Sequence, residues 1–93
     1  MNYLHIITGL EEIVKQLGIQ LRYEKGDFEG GYCMLRDQQV LVVNKRLHEM
    51  RRASILAQAL AAIGIENVFV KPAIREFIED EVQKARKTKA AAI

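Results

Sequence analysis

Apolar residues recur along this chain at two different spacings. Leu10, Ile13, Val14 and Leu17 fall three and four positions apart, which predicts a helix over 4–17 with Gly18 as its stop. "IQLRYE" then alternates Ile19, Leu21 and Tyr23 against Gln20, Arg22 and Glu24, the pattern of a half-buried strand. "KGDFEGG" reads as a loop. "YCMLR" and "QVLVVN" read as two strands forming a hairpin over 32–44, with Asp37 in the turn. The unbroken "VLVV" predicts a strand buried on both faces. Helical spacing returns over 47–63. Leu47, Met50, Ala53, Leu56, Ala57, Leu60 and Ile63 form one stripe, and Ile55, Ala59 and Ala62 lie off it. A helix apolar on two sides must be sandwiched, with the alanines admitting a second helix at close range. Gly64 suits a left-handed cap. "ENVFVK" predicts a short extended piece, and Pro72 opens a last helix carrying Ile74, Phe77, Ile78 and Val82 inward.

The expected architecture is therefore α+β: a three-stranded, mainly antiparallel sheet packed on a central helix, with N- and C-terminal helices, in the order α-β-β-β-α-(β)-α. Ninety-three residues make one domain, expected over 1–89, with 90–93 as a frayed tail. No apolar run approaches the roughly 20 residues of a membrane span. "MNYLHIITGL" lacks the basic start and cleavage site of a secretory leader. The one cysteine, Cys33, cannot form an internal disulfide, so a reducing cytoplasm is the expected setting. Cys33 between Tyr32 and Met34 reads as a small core residue rather than a nucleophile, because no third group or oxyanion site is specified.

Net charge of +2 does not point to nucleic acid, but the charge is uneven. Lys45, Arg46, Arg51 and Arg52 crowd the start of the central helix, and "KARKTK" closes the last one. The first cluster is a candidate interaction surface. The interleaved aromatics of a nucleic-acid face are missing, so a solvated or ion-paired face is the simpler reading. "KGDFEGG" lacks both the spacing and the following helix of a phosphate loop.

"HEMRR" begins like a zinc helix, yet Arg52 stands where the second histidine of an HExxH motif belongs, and an arginine cannot ligate zinc. A different register is more informative. "VLVVNKRLHEMRRASILAQAL", with "GGYCML" upstream, resembles the strand-to-helix core of small zincin-type metallopeptidases that cleave phage repressors and stress regulators. The resemblance covers roughly residues 19–63. It implies that the first metal histidine falls on Gln58, the catalytic glutamate on Ala59 and the second histidine on Ala62. None of the three can serve: glutamine is a poor zinc ligand and alanine moves no proton. Over nearly its whole length the chain also resembles small bacterial proteins with a "GG-x-C" strand, an Asn-ended strand and an "ENVFVKPAIREFIE" segment, a likeness that implies no activity.

These readings lead to a non-catalytic small cytoplasmic protein that uses no metal or cofactor. It is expected to act through protein–protein contacts, to self-associate as a homodimer, and to need no membrane. The alternatives are a degenerate metal- or Cys33-dependent hydrolase, and a nucleic-acid accessory acting through the 45–52 patch.

Overall fold

The computed structural model describes residues 2–91, with side chains through Arg86. The order is α1 (Tyr3–Gln16), β1 (Gln20–Glu24), β2 (Gly30–Leu35), β3 (Gln38–Asn44), α2 (Glu49–Ile63) and α3 (Pro72–Ala91). The class is α+β, as expected. α1 starts where the Asn2 side chain accepts from the amides of Leu4 and His5. It ends in a Schellman motif: Ile19 N donates to Val14 O, Gly18 N donates to Lys15 O, and Gly18 takes φ 72°.

The sheet corrects the expected pairing. Its order is β1-β3-β2. β2 and β3 form the expected antiparallel hairpin, but β1 lies parallel to β3, so the sheet is mixed. The reason lies in the five residues 25–29. That loop is long enough to cross one intervening strand, roughly 10 Å at two inter-strand spacings. Asn44, at the end of β3 and only 6% exposed, holds the crossing. Its Nδ2 donates to Gly26 O (2.8 Å) and Phe28 O (2.7 Å), and its Oδ1 accepts from Arg46 N. Two backbone bonds frame the same point, Asn44 N to Glu29 O and Lys45 N to Glu24 O. The hairpin turn is Arg36–Asp37, and Arg36 carries the positive φ of 60° that such two-residue turns demand.

The core lies on one face of the sheet. Leu41 and Val43 join Leu10, Val14, Leu56, Ala57, Leu60 and Ile78 in a single buried cluster. α1 and α2 pack on the strands, and α3 packs on α1 and α2 without reaching the sheet among the described residues. α2 is thus sandwiched, as its two apolar sides predict. Gly9 gives α3 room: a Cβ there would stand 2.6 Å from Ile74 Cδ1.

Four further expectations change. "ENVFVK" forms no strand among the described residues; Val70 is buried while Phe69 is 73% exposed. Met50 is exposed rather than in the core, because the first turn of α2 borders an open hollow lined by Tyr3, His48 and Arg52. Cys33 is exposed, not packed, because it points to the face of the sheet away from Leu41 and Val43, which no described helix covers. Gly64 has positive φ, but its ψ of 132° lies outside the left-handed helical region. Of the expected tail, residues 90 and 91 continue α3, and 92–93 lie outside the described residues.

Candidate interaction surface

β2 is apolar along its length and exposed at every position. Alternation and register explain how. Tyr32 is paired with Leu41, and Leu41 is in the core, so Gly30, Tyr32 and Met34 are on the helix-covered face of the sheet. The helices do not extend over the far end of the hairpin, leaving Tyr32 41% and Met34 56% exposed. Gly31, Cys33 and Leu35 are on the opposite face with Val40 and Val42, which carries no helix among the described residues. Val40 is buried there, apart from the core cluster.

The two edges of the sheet differ. β1 carries an Arg22–Glu24 ion pair at 2.8 Å. β2 carries no charge from Gly30 to Leu35. Charged side chains and strand irregularity are the usual guards against edge-to-edge pairing, and β2 has neither. Its inner end is fixed to α2. A Cβ on Gly30 would lie 2.7 Å from Val42 O and 3.0 Å from Ile55 Cγ2, whereas one on Gly31 would meet nothing within 4 Å. Beside Gly30, Arg51 clasps Glu29 with two hydrogen bonds of 2.7 and 2.6 Å. That clasp pulls the Glu29 carboxyl below the ordinary glutamate range.

The basic cluster expected at the start of α2 is divided in the fold. Lys45 and Arg46 are exposed in the turn before it. Arg51 is occupied by Glu29. Arg52 is half-buried, its guanidinium carbon 6.0 Å from the Tyr23 ring centroid. Its Nε is buried with no hydrogen-bond partner among the described residues. Tyr23 in turn donates to Glu11 Oε2 at 2.5 Å. Burial, and then that bond, push the Tyr23 hydroxyl well above its ordinary value. Lys87 and Lys89 of the second basic run lie outside the described side chains.

Gln58, Ala59 and Ala62, the residues expected to mark a lost zinc site, lie where α2 meets α3. Gln58 and Ala62 line a shallow, open groove of about 310 Å³ with Val82, Ala85 and Arg86. Ala59 is half-buried against the core. Gln58 Nε2 donates to Ser54 Oγ (3.0 Å), and Ser54 Oγ donates to Glu81 Oε2 (3.3 Å). Sequence reasoning missed this pair. Ser54 and Glu81 are both 7% exposed, and only the 3.6-residue period, carried across both helices, could have faced them together. Glu81 has Lys84 3.8 Å away as counter-ion. Among the described residues no three His, Cys, Asp or Glu side chains converge on a point, and no helix is long and apolar enough to cross a membrane. No family model, curated protein or solved structure matches the chain.

Proposed function

We propose that this is a non-catalytic protein of the cytoplasm that works through protein–protein contacts and self-associates. The observation that carries the reading is β2, an apolar edge strand with no charge along it and every residue exposed. An apolar strand edge left open in a small domain is a template for another chain. Two further features support the reading. At the positions that would bear zincin-like chemistry, Gln58 is hydrogen-bonded to Ser54, Ala59 packs on the core and Ala62 borders a shallow groove. The exposed thiol of Cys33 suits a compartment that keeps thiols reduced.

Size-exclusion chromatography with light scattering tests the proposal. The expected result is a mass rising from one chain to two as the protein is concentrated into the high micromolar range. A constant single-chain mass across that range would overturn it.

A further inference from the structure

We infer that the occupant of the β2 edge is the β2 strand of a second copy, paired antiparallel about Tyr32; this rests on the self-association proposed above and specifies its register. The hydrogen-bond parity of the hairpin selects which registers are open. Asn44 N donates to Glu29 O at 2.9 Å, so Glu29 and Asn44 are a hydrogen-bonded pair. By alternation Gly31, Cys33 and Leu35 direct their backbone groups at β3, and Gly30, Tyr32 and Met34 direct theirs outward. Two antiparallel strands must oppose outward residues to outward residues. Of the symmetric registers this permits, the one centred on Tyr32 engages all three outward residues of each copy. Gly30 lies opposite Met34 of the second copy, Tyr32 opposite Tyr32, and Met34 opposite Gly30.

The side chains suit the same register. Met34 lies across from a glycine, and so does Cys33, which falls opposite Gly31 of the second copy. The bulky half of "GGYCM" therefore meets the half without side chains, and the ring of Tyr32 meets its own symmetry mate. On the helix-covered face this covers Tyr32 and Met34, both exposed in the single chain. Charge agrees as well. Beyond the paired residues, the register brings the turn at Arg36 beside the 25–29 loop of the second copy, which carries Asp27 and Glu29. Each contact occurs twice, as an isologous two-fold interface requires.

Engineered cysteines read the register directly. Gly31→Cys places a thiol opposite the native Cys33 of the other copy in a non-hydrogen-bonded pair, about 4.5 Å between Cα atoms. A Cβ at Gly31 meets nothing within 4 Å in the single chain, so this variant keeps the fold. On mild oxidation it should run as a covalent dimer on a non-reducing gel, reversed by reductant. The wild-type chain and Gly31→Cys/Cys33→Ser should remain monomeric on the gel. In the wild type the two Cys33 residues are diagonal, about 7–8 Å apart and beyond easy bridging. A second variant, Met34→Lys, places a charge on a position that is 56% exposed and should weaken association at least tenfold by light scattering. Cross-linking of the wild type at the rate of Gly31→Cys would overturn the register in favour of one centred on Cys33. A dimer in which Gly31→Cys fails to cross-link, or one indifferent to Met34→Lys, would overturn β2 pairing while leaving self-association standing. A wild-type monomer at every concentration would remove both.

Discussion

Two apolar stretches of this chain, residues 53–62 of α2 and residues 30–35 of β2, have opposite fates. In α2, Ala53, Leu56, Ala57 and Leu60 are fully buried between the sheet, α1 and α3. In β2, Tyr32, Cys33, Met34 and Leu35 are all exposed. Apolar patterning names the element and the face it wants to hide. It does not say whether the chain itself supplies the cover. Among the described residues α2 finds its cover, and β2 does not.

The sharpest way to break this comparison is to truncate one side chain from each stretch and measure unfolding by denaturant at concentrations low enough to keep the protein monomeric. Leu56→Ala should cost about 2–5 kcal/mol, the usual range for emptying a buried leucine site. Met34→Ala should stay within about 0.5 kcal/mol, as for other exposed positions. A large loss from Met34→Ala would mean that β2 is integral to the monomer core and would erase the contrast.

Next is the residue that places β2 on the outside. Asn44 satisfies two loop carbonyls and one turn amide while almost completely buried. Asn44→Ala leaves those groups without their partner, and should cost about 1–3 kcal/mol. The crossing it holds should also loosen, with faster amide exchange in residues 25–29 than in α2. Equal exchange in both regions would show that the loop is held by its backbone bonds alone.

These residues also show how far the pattern along the chain could be read. The three long helices were legible because a period of 3.6 residues is self-contained evidence, reinforced by Gly18 and Pro72 at their ends. The first strand was legible by alternation, and the other two by apolar runs on either side of a turn. Their order was not: alternation states which face a side chain takes, not which neighbour a strand takes. The parallel β1–β3 pair rests on a five-residue crossing and on hydrogen bonds from Asn44, which within the pattern is only a polar residue after "VLVV". Cys33 was read as buried from its apolar character and Met50 from its place in a helical stripe; Cys33 points to the face that no described helix covers, and Met50 borders an open hollow beside Tyr3, His48 and Arg52. The zincin-like likeness drew attention to Gln58, Ala59 and Ala62, but not to Ser54 and Glu81, whose contact joins residues on two different helices.

A smaller and more local contrast lies within β2 itself. Gly30 abuts α2, whereas Gly31 faces open space. Gly30→Ala must displace Val42 O or Ile55 and should cost about 1–3 kcal/mol. Gly31→Ala should be near neutral for the single chain, within about 0.5 kcal/mol. It should leave the dimer intact as well, because a methyl group facing Cys33 of the second copy is an ordinary cross-strand pair. Equal effects of the two substitutions on unfolding would mean that Gly30 and Gly31 do not differ in what their side of the strand meets.

The smallest effect expected concerns the turn at the tip of the hairpin, where the local and intermolecular demands oppose each other. Arg36 adopts φ 60°, a left-handed conformation that costs a residue with a Cβ about 1–2 kcal/mol. Glycine adopts it freely but gives up about 0.5–1 kcal/mol in chain entropy. Arg36→Gly should therefore stabilise the monomer by about 0.5 kcal/mol, seen as a higher denaturation midpoint with an unchanged slope. The same substitution removes the cation that the Tyr32-centred register brings beside the loop carrying Asp27 and Glu29 of the second copy. Exposed ion pairs contribute about 0.2–1 kcal/mol each, and the two-fold repeats the contact, so association should weaken several-fold while the chain itself grows more stable. Stability and association moving in the same direction would show that the charge at residue 36 plays no part between copies, and that the strained turn serves only the hairpin that contains it.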